Sequence, residues 1–153
     1  MTVLGQMNYA CLQSGNKLLM ALATSKMVNL TLEHGLFSFS GGAQCILGMT
    51  CLAAMGDVES ATYFVETGLL IQKSIPSKYF VATTTFMSHQ IIEPWSSPLA
   101  SCRPKLIDGY TEGMRSGNFA DATLCLASYC IFIPIQIGMR LQSINANAQT
   151  YIP

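Results

Sequence analysis

A glycine-led turn occurs twice in this chain. Gly48, seven residues, Gly56-Asp57, three residues and Ala61-Thr62 recur as Gly109, seven residues, Gly117-Asn118, three residues and Ala122-Thr123. The displacement is 61 residues at every matched position. Each part of the pattern has a physical role. Gly48 and Gly109, late in a first helix, let a partner helix pack close. Gly56 and Gly117 reverse the chain, because a residue without Cβ adopts positive φ at no steric cost. Asp57 and Asn118 cap the next helix by accepting from its unsatisfied N–H groups. Ala61 and Ala122 fall one turn in, where a small side chain permits close helix contact. The pattern predicts a helix–turn–helix unit used twice.

The remaining punctuation divides the chain into further helix-length blocks. One runs from about Asn16 to Glu33, with Leu18, Leu19, Leu22, Ala23, Met27 and Leu30 at helical steps. His34-Gly35 ends it. The next spans Ser40 to Met55, with Ser40 as N-cap, and a third spans Asp57 to about Gln72, with Glu59 and Lys73 matching the helix dipole. A block from Ser77 to Ile92 is read as helix despite the β-branched run from Val81 to Thr85. The block from Pro98 to Ser116 contains Pro104. Either its helix starts near Arg103 with Pro104 in first position, or it is kinked. Asn118 to Ile133 forms another, and Met139 to Gln149 a weak last one. The tail Tyr151-Ile152-Pro153 is expected to be unstructured. The expectation is one all-α module over residues 1–153, its core at 16–133 and its weak ends at 1–15 and 139–153, built of antiparallel helix hairpins.

Charge limits what such a module can do. Charged residues are 10% of the chain and balance to zero, against about 25% in ordinary soluble domains. An even balance removes the basic excess that non-specific nucleic-acid binding requires. Apolar residues at 50% exclude a disordered chain. Six cysteines stand at 11, 45, 51, 102, 125 and 130 with no metal-finger spacing. They are read as free, buried thiols, which suits a cytoplasmic setting. No positively charged, apolar leader opens the chain. Residues 122–139 form an uncharged stretch of 18 residues. Pro134 and Gln136 interrupt it and Asp121 abuts it, so a buried helix is preferred over a membrane anchor.

Catalytic arrangements are absent from the sequence. His34 and His89 lie in no nucleophile motif. His34 is expected to support a helix C-terminus, and His89, near Glu93, to be solvated or hydrogen-bonded. Asp108 and Glu112 read as a solvated helix face. No phosphate-binding loop is present, and no cofactor or metal is expected. Trp95, after Pro94, reads as a packing anchor between helices. Tyr63, Phe64, Tyr79, Phe80 and Phe86 read as core.

Taken in order, His34-Gly35 after an apolar helix, Ser40, Gly48, Gly56-Asp57-Val58-Glu59, Trp95-x2-Pro98-Leu99, Leu106-x2-Gly109-Tyr110-x2-Gly113 and Gly117-Asn118-x3-Ala122 mark a region of roughly residues 16–133. This set resembles the tetratricopeptide-like region of large multidomain signalling ATPases. In them a kinase-like domain and an AAA/STAND-type ATPase precede the region, and histidine-kinase or cyclase modules often follow it. Asn118 departs from the acid of that pattern, and charge is sparser than usual. The resemblance implies a short helical solenoid without catalytic machinery, serving protein–protein contact or regulation. Its partner would be another protein or neighbouring domains of a larger chain. The rival expectation is a small membrane protein anchored by residues 122–139.

Overall fold

A computed structural model describes residues 2–75 and 78–151. Helices and the turns between them make up the described residues, which include no strand. In order they form α1 (Thr2–Ser14), α2 (Lys17–His34), α3 (Ser40–Met55), α4 (Val58–Ser74), α5 (Val81–Phe86), α6 (Leu99–Ser116), α7 (Phe119–Ala127), α8 (Ile133–Gln136) and α9 (Leu141–Gln149). A π-turn, Met87–Ile92, and a 3₁₀ turn, Glu93–Trp95, extend α5. A second π-turn, Ser128–Phe132, joins α7 to α8.

Local chemistry accounts for most helix ends. Asn16 caps α2 through the Leu19 N–H at 3.1 Å, and Asp57 caps α4 through the Ser60 N–H at 3.0 Å. Gly56 and Gly117 close α3 and α6 with φ of 66° and 82°, the left-handed region in which a Cβ would clash. Both π-turns precede a proline, Pro94 and Pro134. A proline supplies no N–H and its ring crowds the carbonyl four residues back, so the turn before it widens. Arg103 satisfies one carbonyl there, its Nε donating to Tyr129 O at 2.9 Å while the guanidinium lies over the Tyr129 ring.

Several expectations change. Residues 2–14, assigned to no helix from sequence, form α1, with Asn8 and Cys11 buried. Ser40 begins α3 instead of capping it; Phe39 is the cap, and the Ser40 hydroxyl accepts from the Phe37 N–H and bonds Thr31 Oγ1. The β-branched run at 81–85 is helical because its threonines are buried between neighbours. That block was expected to start at Ser77, which lies outside the described residues. Pro104 sits well inside α6, exposed, where its missing N–H faces no core. In α2 the buried stripe is Ala23, Thr24, Met27 and Thr31, while Leu18 and Leu22 face outward. Tyr151 is not free, packing its ring against Tyr110 and Tyr129; Ile152 and Pro153 lie outside the described residues.

Consecutive helices pack in sequence order, α1 on α2, α2 on α3, α3 on α4, α5 on α6 and α6 on α7. The α5 segment and its π-turn are central, touching α3 and α4 on one side and α6 and α7 on the other. The core is correspondingly divided. One cluster joins Met27, Phe39, Ala43 and Ile46; a second joins Cys45, Ala61, Val65 and Ile92; a third joins Ala82, Cys102, Leu106, Cys125 and Ile133. Small residues dominate because the backbones come very close. A Cβ on Gly41 or Gly68 would lie 2.7 Å from the carbonyl oxygen of the other.

Candidate functional site

The repeated landmarks occupy two interhelical seams. Gly48 faces the Ala61 carbonyl, which a Cβ there would meet at 2.8 Å. Gly109 faces Thr85 and the Cys125 thiol instead, and Ala122 is met by Gly113. Ala61 and Ala122 are fully buried. Trp95 is 65% exposed, because the 3₁₀ turn before Pro98 carries it away from both flanking helices; it is not an anchor between them. Tyr63 and Tyr79 are exposed as well, whereas Phe64, Phe80 and Phe86 are half-buried.

Asn118 does more than cap α7. Its Oδ1 accepts from the Asp121 N–H at 3.4 Å. Its Nδ2 donates to Tyr79 O at 3.1 Å, Thr83 Oγ1 at 3.1 Å and Asp121 Oδ2 at 2.9 Å. The Thr83 hydroxyl donates to the same carboxylate oxygen. This knot ties the start of α7 to the start of α5. It stands at the wall of a half-open groove of about 330 Å³ reached by α1, α2, α3, α5 and α7. Phe39, Ile46, Met49, Phe86 and Met87 supply its apolar walls, with Phe39 and Phe80 edge to face at 4.7 Å.

A second, smaller cavity of about 190 Å³ lies between α4 and the turn after α5. His89, Glu93 and Lys105 meet there. Glu93 Oε2 pairs with His89 Nδ1 and Oε1 with Lys105 Nζ. Burial holds His89 below its ordinary pKa, against the upward pull of Glu93, so the ring is neutral at neutral pH. Burial alone would raise Glu93, but hydrogen bonds from Lys105 and His89 outweigh it and hold the carboxyl low. His34, by contrast, is exposed at the end of α2 beside Glu33.

Two of the thiols are held far from the thiolate form. All six cysteines are free and buried. Burial pushes Cys45 and Cys125 up to about 12, where the reactive thiolate is not formed at neutral pH. Among the described residues no group of His, Cys, Asp or Glu has the geometry of a metal site.

Sequence reasoning missed Thr83, Tyr79 and Asp121 as one constellation. Asp121 three residues after the Asn118 cap was a visible signal of a reciprocally bonded helix start. Thr83, 38 residues from Asp121, carried none. Comparison with protein families, curated proteins and solved structures finds no match to the chain.

Proposed function

We propose that the chain is a non-catalytic helical-repeat module for protein–protein contact or regulation, its hairpins stacked as a short tetratricopeptide-like solenoid, as in the signalling ATPases it resembles. The sequential packing of helices through small residues supports the stacking. Solenoid units contact mainly their neighbours and leave end faces that further units cover.

The observation that carries the reading is the outer face of the first hairpin. Leu18, Leu22 and Leu32 are each more than half exposed, as is Val3 on α1. Offsets of four and fourteen residues from Leu18 place the three leucines on one stripe of α2. The 13 residues of α1 include no charge. Ser25 and Asn29 interrupt the stripe between Leu22 and Leu32, but three large apolar side chains exposed on one helix face fit an interaction surface.

Sedimentation of the chain tests it. The wild type is expected to self-associate, while Leu18→Glu/Leu22→Glu/Leu32→Glu is monomeric with unchanged helical circular dichroism. A wild type that stays monomeric at every concentration removes the reading.

A second reading has one observation in its favour. Phe119–Gln136 is long and apolar enough to cross a membrane, and only a third of it is buried. The bond from Arg103 to Tyr129 O, and Asp121 in the first turn of α7, weigh against a span. Carbonate extraction discriminates: recovery of the expressed chain in the soluble fraction eliminates a membrane anchor.

A further inference from the structure

Among the described residues, the groove beside Asn118 has one charged wall residue and no counter-charge: Asp121 is the only acid of those lining it, and none of them is Lys, Arg or His. None of the ion pairs among the described residues includes Asp121. Asn118 and Thr83 both donate to Oδ2, and Oδ1 accepts no bond among the described residues. A partly buried carboxylate in apolar surroundings favours a cationic partner, since charge removed from water needs pairing.

The shape narrows that partner. About 330 Å³ lies at the low end of small-molecule sites, which run from roughly 300 to 1,000 Å³. Helices supply most of the walls, with Ser38, Phe39, Tyr79, Phe80 and Asn118 on the turns between them. Along the helical walls the backbone groups are already bonded, so an extended peptide would bring N–H and C=O groups that find few partners there. A ligand with one polar end and an apolar body leaves nothing unpaired.

We propose that the groove binds a small amphiphilic organic cation, its primary ammonium on Asp121 Oδ1 and its body against Phe39, Ile46, Met49 and Met87. The groove shares no residue with the α2 stripe, so the site and the protein-contact reading can fail separately.

Methionine-methyl NMR of the full chain tests the proposal, with Met20, Met49 and Met87 as reporters. Phenethylamine is the probe and phenethyl alcohol its neutral counterpart. Saturable shifts of these methyls are expected with the amine, with affinity about tenfold lower for the alcohol, the loss of one charge-assisted contact. Asp121→Asn should weaken the amine about tenfold and leave the alcohol unchanged. Because that substitution also disturbs the Asn118 knot, Leu124→Lys is the second variant; its ammonium, introduced at the groove wall, should displace the amine. Equal affinity for amine and alcohol overturns the proposal, and so does an absence of methyl shifts. A Leu-Lys-Leu peptide that binds more tightly than the amine also overturns it, and makes the groove a peptide site.

Discussion

Ala61 and Ala122 stand at the same place in two copies of one turn, yet they meet different partners. In the α3–α4 hairpin, Ala61 lies against Gly48, and farther along Gly41 lies against Gly68. In the α6–α7 hairpin, Ala122 lies against Gly113, one helical turn nearer the connection than the matching Gly109. Gly109 and Gly113 also receive α5, through Thr85 and Ala82. The second pair is thus clamped by a third helix and slips by a turn. A repeated turn and cap fix where helices start and stop. They do not fix how the helices slide against each other.

The seams are also held by different chemistry, and this orders the expected effects. Gly68→Ala places a methyl against the Gly41 carbonyl oxygen and the Cys45 thiol; the carbonyl belongs to the backbone and cannot rotate aside, so the change should cost about 3 kcal/mol, at the upper end of overpacking. Gly109→Ala meets side-chain atoms, Thr85 Cγ2 and Cβ and the Cys125 thiol, rather than a backbone carbonyl, and should cost about 1 kcal/mol less. Urea denaturation of both variants measures the difference; equal losses would show that the two seams yield alike.

Asn118 and Asp57 are matched caps with unequal duties. Asn118→Ala removes a cap and the bonds to Tyr79, Thr83 and Asp121, a loss of about 2 kcal/mol. Asp57→Ala removes the bond to the Ser60 N–H and should cost less. Thermal melts of the two variants rank them, and a reversed order would place the tie between α5 and α7 outside the stability-determining contacts.

The smallest effect is acid sensitivity on the α4–α5 side of the molecule. His89 titrates lower folded than unfolded, so the unfolded chain binds more protons as pH falls through 6.5, and stability declines. Glu93 is also held low, so its contribution is present above 4.5 and is lost as pH falls further. The melting temperature should therefore fall in two stages on acidification. His89→Gln should remove the first stage and leave the second; a variant that keeps both stages would remove His89 as their source.

Helix ends were legible because they depend on neighbours in the chain. Gly56-Asp57, Gly117-Asn118 and Asn16 each act within three or four residues. Faces were less legible. The leucines of α2 have the right spacing for a core, yet Thr24 and Thr31 are buried and Leu18 is exposed. Hydroxyls make this possible by bonding backward to the helix carbonyls of Met20 and Met27, so a threonine stripe can be buried without unsatisfied groups. Trp95 was misread for a related reason: composition makes tryptophan a core residue, but a short turn between Pro94 and Pro98 decided its direction.

By itself the sequence determined that the chain is helical, where its glycine-led turns lie and that Asn16, Asp57 and Asn118 start the helices after them, since these follow from backbone sterics and short-range hydrogen bonds. Tertiary structure alone decided the slip between the two hairpins, the burial of the threonines and the meeting of Thr83 with Asp121. Those depend on which surfaces of distant helices can approach without overlap. A pattern of residues along one chain does not contain that distance information until the helices have packed.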